Sequence, residues 1–132
     1  MIKTHKGSCH CGLVRFECDI DLEASSMRCN CSVCAKGRSW LSFVSDNAFR
    51  LIEGGDHLAD YQFGALRVHH RFCTTCGIKV FGEVPGPKGT GYAINISALD
   101  DISADEFAAI PVMYADGVND RWDVAPAVTQ HL

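Results

Sequence analysis

Cysteine spacing constrains this sequence more than any other feature. Seven of the eight cysteines form three local groups: C-x-C at positions 9 and 11, C-x-C-x-x-C at 29, 31 and 34, and C-x-x-C at 73 and 76. Thiolates two or three residues apart can bind one ion with little loss of chain entropy, so the clustering predicts metal binding, with zinc as the default ion. The eighth, Cys18, shares one face of a predicted strand with Phe16 and Ile20, which alternate with charged residues, and is expected to pack in the interior.

Disulfide bonds and an iron-sulfur cluster fit the cysteine spacing less well than zinc does. Disulfides are disfavoured because a bond within C-x-C would close a small, strained ring, and because the first residues of the chain contain no apolar export signal. An iron-sulfur cluster would need a fourth cysteine of matching local spacing, which the middle group lacks. The sequence therefore favours zinc and a cytoplasmic location, where thiols are reduced.

Length and charge exclude several other classes of protein. A chain of 132 residues lies in the range of one domain, so residues 1–132 are expected to form a single unit. No run approaches the roughly 18 apolar residues of a membrane span, so no membrane partner is expected. Sixteen acidic against twelve basic residues give a net charge of −4, which argues against nucleic acid as a partner. The oligomeric state is not indicated.

The pattern of apolar residues predicts a mainly β protein. Short alternating runs are separated by glycine-rich turns, and one helical turn has an N-cap serine at Ser103 with Glu106 three residues later. The predicted strands are 14–20, 39–45, 49–53, 60–63, 66–72, 78–84 and 91–96, and the predicted helical turns are 32–36 and 103–107.

Counting ligands divides the clustered thiols into two unequal sets. Two tetrahedral zinc sites need eight ligands, and seven thiols supply a closed set of four and an open set of three. Cys73 and Cys76 resemble a zinc knuckle followed by Gly77, and their natural partner is the pair Cys9 and Cys11. This closed set is predicted to be structural. An alternative remains in which a cysteine of the middle group belongs to the closed set.

The open set, Cys29, Cys31 and Cys34, is predicted to hold the second, exchangeable zinc and to be the catalytic group. Three thiolates around a divalent cation make a weak Lewis acid, so the vacant position suits the sulfur of a thiol substrate. Lys36 and Arg38 are candidates for orienting an anionic substrate. Alternatively, a histidine completes this site and both sites are structural. The candidates are His69 and His70; adjacent strand residues face opposite ways, so one of the two would approach the metal and the other would face solvent.

Aromatic residues add one open question. Trp40 follows the open set closely and either walls a substrate pocket or packs in the interior. Four phenylalanines are expected in the core: Phe43, Phe63, Phe72 and Phe81.

Three segments of the sequence resemble the motifs of the glutathione-dependent formaldehyde-activating enzyme family, which includes centromere protein V. These segments are Gly7 to Glu17 (GSCHCGLVRFE), Cys29 to Cys34 (CNCSVC) and Phe72 to Ile78 (FCTTCGI), with weaker similarity at Tyr92 to Ile96 and Asp116-Gly117. The resemblance implies a small zinc-stapled, β-tent-like fold of short antiparallel sheets. It also implies one zinc on Cys9, Cys11, Cys73 and Cys76 and a second zinc on the middle group, as the ligand count suggests.

The same resemblance implies carbon-sulfur lyase chemistry. The expected reaction forms or breaks S-hydroxymethylglutathione, so a small-molecule thiol such as glutathione and an aldehyde are the expected partners. Two hypotheses from other classes remain beside it: a non-catalytic zinc-stapled module that binds a protein partner, and a thiol-based protein for metal storage or sensing.

Overall fold

The computed structural model describes all 132 residues and confirms a mainly β fold. Ten strands and two six-residue α-helices, with four short 3₁₀ turns between them, make up the chain. The strands are β1 Lys3–Ser8, β2 Arg15–Ile20, β3 Ser26–Cys29, β4 Leu41–Val44, β5 Phe49–Glu53, β6 Leu58–Tyr61, β7 His69–Cys73, β8 Lys79–Gly86, β9 Gly89–Asn95 and β10 Val112–Ala115. The helices are α1 Ser32–Gly37 and α2 Ala104–Ala109. Neither helix has the length or apolar character needed to cross a membrane.

The strands form two sheets. One has three strands in the order β1-β2-β5, and the other has seven in the order β10-β3-β4-β9-β8-β7-β6. All pairs are antiparallel except β3 with β10, which run parallel. The sequence patterns did not predict β1, β3 or β10, and they placed β6 and the start of β7 a few residues away from where the structure has them.

The main core lies between the sheets. Phe16, Cys18 and Ile20 of β2 are buried, and the charged residues between them point outward, as their alternation predicts. Phe16 stacks near Phe49 at 5.8 Å, and Phe81 of the large sheet lies 4.6 Å from Phe49, all between ring centroids. These contacts join the sheets through aromatic packing.

A smaller core lies on the other side of the seven-stranded sheet. It contains Cys29, Cys34, Leu41, Ala93 and Ala115. Neighbouring residues of β9 therefore serve different cores, since Ala93 belongs to the small one and Ile94 to the main one. With both faces partly covered by apolar residues, the large sheet can support a cavity on the face opposite the main core.

Candidate metal centres

The first cluster of sulfurs sits where two tight turns meet. One turn follows β1 and carries Cys9 and Cys11, and the other joins β7 to β8 and carries Cys73 and Cys76. The backbone folds back in each turn. Gly12 N–H donates to the Cys9 carbonyl at 3.2 Å, and Gly77 N–H donates to the Cys73 carbonyl at 2.8 Å. Since β1 belongs to the small sheet and β7 to the large one, this cluster bridges the two sheets.

A glycine follows the second cysteine of each turn in a left-handed conformation. The φ angle of Gly12 is 81° and that of Gly77 is 76°. A side chain there would be strained, because L-residues with a Cβ rarely adopt positive φ. In each turn, the glycine lets the backbone reverse direction within five residues, with both cysteines of that turn in the same cluster.

Distances within the first cluster suit a tetrahedral thiolate site. All four sulfurs lie within 4.8 Å of one another; Cys9 and Cys11 are 3.5 Å apart, and Cys11 and Cys73 are 3.6 Å apart. Sulfurs bound at 2.3 Å around tetrahedral zinc are separated by about 3.8 Å, whereas a disulfide would bring them to about 2 Å. All eight cysteines are free thiols. The donor set therefore fits zinc.

Backbone amides prepare these sulfurs to carry negative charge. Val14 N–H donates to Cys9 Sγ at 3.3 Å, and Thr75 N–H donates to Cys73 Sγ at 3.4 Å. The pKa of Cys76 is lowered to about 6, first by the backbone N–H of Cys11 and then by that of Ile78. Hydrogen bonds to a thiolate favour its charged form, which is the form that binds metal.

The second cluster forms at the junction of β3 and α1. Cys29 ends β3, Cys31 is the N-cap of α1, and Cys34 is the third residue of α1. The three sulfurs lie within 4.8 Å of one another. Cys31 N–H donates to Cys29 Sγ at 3.3 Å. No histidine, aspartate or glutamate joins the three sulfurs within that distance. The cluster could hold a metal ion with three protein ligands.

Charge in the second cluster is unevenly shared. The side chain of Cys34 lowers the pKa of Cys31 to about 5, and Cys31 in turn raises the pKa of Cys34. Burial raises the pKa of Cys29. One thiolate beside two thiols is thus the arrangement that the protein alone favours. A divalent cation would replace both protons and stabilise three thiolates.

Residues from the end of the chain cover one side of the second cluster. Asn30 anchors this segment, donating to Asp116 Oδ1 at 2.9 Å and accepting from Val118 N–H at 3.0 Å. A Cβ at Gly117 would lie 2.5 Å from Cys29 Sγ and 3.0 Å from the Trp122 ring, so only glycine lets the chain approach so closely. The sequence gives only weak family similarity at Asp116-Gly117 and does not predict that Gly117 contacts the second cluster.

The other side of the second cluster opens into a cavity of about 720 Å³. Cys31 and Cys34 line it, together with His70 and Lys79. The side chain of Lys79 is half-buried, and burial lowers its pKa while the neighbouring Cys34 and Cys31 oppose that shift. Burial, followed by the charge of Lys79, lowers the pKa of His70 to about 4. His70 is therefore neutral at pH 7.

This geometry decides between the alternatives that the sequence leaves open for neighbouring residues. Lys36 and Arg38 point away from the cavity, because the last turn of the short α1 is exposed. Trp40 packs in the interior, with its ring 5.9 Å from Phe107 and its N–H donating to Ser26 Oγ at 2.7 Å. His70 faces the cavity without joining the sulfurs.

Two phenylalanines expected in the core line the cavity instead. Phe43 is 55% exposed and Phe63 is 40% exposed. The expectation that both lie in the core was therefore wrong, because an apolar side chain in a sequence suits the wall of a cavity as well as a core.

Fold and site together define a small, mainly β protein with one four-sulfur and one three-sulfur cluster. Residues 4–116 match the family model described as glutathione-dependent formaldehyde-activating enzyme, and the chain belongs to this family. The chain is also similar to the crystal structure of a Rhodobacter sphaeroides protein, a structural-genomics target, at 29% identity with a TM-score of 0.69. That match covers 82% of this chain and 99% of the other.

Proposed function

We propose that this chain is a zinc-dependent carbon-sulfur lyase that forms or breaks adducts between a thiol such as glutathione and an aldehyde such as formaldehyde. The observation that carries the proposal is the three-sulfur cluster without a fourth protein ligand at the wall of a cavity. Catalytic zinc sites keep such a position free, and structural sites do not. The family description names glutathione and formaldehyde, the two reactants of this proposal.

In the proposed assignment Cys9, Cys11, Cys73 and Cys76 hold a structural zinc, and Cys29, Cys31 and Cys34 hold an exchangeable one. The second zinc, when bound, supplies a position at which a substrate sulfur loses its proton at neutral pH. Eight free thiols suit the reducing cytoplasm, which we propose as the location.

The chain's own residues then have three tasks. Cys31 and Cys34 present the cluster to the cavity, so substrate arrives from that side. Lys79 offsets the net negative charge of three thiolates around a divalent ion. His70, neutral at pH 7, offers a hydrogen bond to the aldehyde oxygen. In the direction of adduct formation, the sulfur attacks the carbonyl carbon and the π electron pair of the C=O bond moves to oxygen. The proton lost by the thiol ends on that oxygen.

The test is exchange of formaldehyde between its free and glutathione-bound forms, measured by NMR with the zinc-loaded protein and corrected for the spontaneous reaction. We expect a rate proportional to enzyme concentration, and two zinc ions per chain of which millimolar glutathione makes one easier to extract. No acceleration, with both ions indifferent to glutathione, would instead favour a zinc-stabilised binding module.

A further inference from the structure

The cavity beside the second cluster is far larger than formaldehyde requires. Formaldehyde has two heavy atoms, whereas cavities of a few hundred cubic ångströms, like this one of about 720 Å³, accommodate whole drug-sized ligands. Its walls are mostly apolar, and large side chains stand partly exposed around it: Phe43, Phe63, Met113 and Trp122. Such exposure in a concave site marks a surface that an apolar ligand can cover.

The floor of the cavity is a row of residues across four neighbouring strands. The register places Phe43 opposite Ala93, Ala93 opposite Gly82, and Gly82 opposite His70. Two minimal side chains therefore lie between an aromatic ring and an imidazole. Three strand spacings separate Phe43 from His70, about 14 Å along the row. This leaves a slot with walls suited to a flat or branched apolar group.

Packing within the protein does not require glycine at position 82. The φ angle of Gly82 lies outside the left-handed region, and a Cβ there would meet Ala93 Cβ and Val68 Cγ1 at an ordinary 3.6 Å. Gly117 differs, because its Cβ would collide with Cys29. The fold thus has room for a Cβ at position 82, and any atoms beyond that Cβ would extend into the slot.

One polar atom in the slot lacks a partner. His70 is only 8% exposed, and its Nδ1 is buried without a hydrogen bond. Phe63 stacks over the imidazole at 5.6 Å, so the ring is fixed in place. A buried polar atom without a partner is costly unless a ligand or water supplies one. Because Nδ1 itself is closed to solvent, a ligand with an apolar body and one oxygen would cover the walls and meet the imidazole at its other nitrogen, Nε2, which is not among the buried atoms.

Charged groups lie apart from this apolar floor. Arg67 and Asp120 are exposed residues of the cavity lining, and Lys79 adjoins the sulfurs. Glutathione carries two carboxylates and one ammonium group, which need charged or solvated partners. The glutathione peptide therefore suits the part of the cavity lined by these charged residues. The apolar slot remains for the substituent that the aldehyde carbon carries, across the new C–S bond.

We propose that the slot over Gly82 and Ala93 receives the substituent of the aldehyde, and that this chain acts on thiol adducts of aromatic or branched aliphatic aldehydes in preference to formaldehyde. This rests on the proposed lyase function. The bonds are those already given: sulfur to the carbonyl carbon, with the proton delivered to the carbonyl oxygen.

Stable thioethers test the slot without turnover. S-benzylglutathione and S-methylglutathione differ only in the group that the slot would hold, and binding is read from the fluorescence of Trp122, a cavity residue, whereas Trp40 is packed away from the cavity. We expect the zinc-loaded protein to bind the benzyl compound about 10- to 30-fold more tightly, from burial of the phenyl ring. Trp122→Phe should abolish the fluorescence change.

Gly82→Val fills the slot and should reduce that preference to less than about threefold. Gly82→Ala, a smaller change, should reduce it partly if the valine variant does not fold. The matched control is Gly55→Val, between β5 and β6 and outside the cavity lining, where a Cβ would meet only the end of the Leu51 side chain, at 3.3 Å; it should keep the full preference.

Equal affinity of the wild type for both thioethers, or equal loss of preference in Gly82→Val and Gly55→Val, overturns the inference. Self-association that Gly82→Val abolishes, with no thioether preference, also overturns it and assigns the cavity to a second copy. Formaldehyde turnover without preference leaves the proposed function intact. Preference without turnover of any aldehyde supports the slot and overturns the lyase function.

Discussion

The two cysteine clusters use the same ligand atom in opposite ways. The first joins two sheets through residues 62 positions apart, and it brings together four sulfurs, as many as a tetrahedral site requires. The second draws three sulfurs from six consecutive positions at the junction of β3 and α1 and opens on a cavity. The first cluster therefore closes a long loop, and the second closes almost none. Stability should depend on the first and substrate binding on the second.

Removing one sulfur from the first cluster should have the largest effect on the fold. Cys76→Ser breaks the four-sulfur set between the sheets, where zinc binding contributes about 10 to 16 kcal/mol, as much as the whole stability of a typical domain. We expect loss of cooperative unfolding and of both metal ions, measured by circular dichroism and metal analysis. A stable Cys76→Ser protein with its second ion retained would show that the sheets hold together without this cluster.

The same substitution in the second cluster should spare the fold. Cys31→Ser should unfold within a few degrees of the wild type, contain one zinc per chain, and lose thiol-aldehyde exchange by about a thousandfold. Cys18→Ser is the control for loss of a thiol outside both clusters, because Cys18 is buried in β2 and belongs to neither. If Cys31→Ser and Cys76→Ser unfolded alike, the division of labour between the clusters would be wrong.

Glycine substitutions should separate the clusters more finely. At Gly117 a Cβ collides with Cys29 Sγ, so Gly117→Ala should weaken the second zinc about 10- to 100-fold, as changes beside metal ligands do. At Gly77 a Cβ meets nothing, and only its φ of 76° is strained. Gly77→Ala should therefore lower the free energy of unfolding by about 1 kcal/mol.

Competition with a chromophoric chelator and thermal denaturation measure these two effects. Equal weakening of both ions by Gly117→Ala would mean that the chain end supports the whole protein and not the second cluster alone.

Sequence reasoning reached the sulfurs but not the cavity. Cysteine groups are local, and a turn of four or five residues brings their sulfurs together, so spacing predicts each of the three groups. The count of ligands, and not spacing, joins the first group to the third across 62 positions. The cavity floor instead depends on the register of four strands, from Phe43 to His70, which no local pattern encodes. Alternation marks an apolar face without showing whether that face meets a core or a cavity.

The parallel pair of β3 and β10 illustrates the same limit. Ser26–Cys29 and Val112–Ala115 are short, and their pairing joins parts of the chain more than eighty residues apart. It places Ala115 beside Cys29 and so brings Gly117 onto the second cluster. This contact decides which side of the cluster stays open, and only the three-dimensional structure reveals it.

The smallest predicted effect concerns cations on the two sides of the second cluster. Lys36 is exposed on the last turn of α1, away from the cavity, whereas Arg67 belongs to the cavity lining. An exposed charge directed at solvent is screened within about 10 Å at ordinary ionic strength, but a charge beside the bound thiol acts over a contact distance. Arg67→Ala should raise the KM for glutathione about 3- to 10-fold, and Lys36→Ala should change it less than twofold. Repeating both measurements with uncharged 2-mercaptoethanol should remove the Arg67 effect, because this thiol has no carboxylate to contact; an effect that persists would mean that Arg67 shapes the cavity and does not bind substrate charge.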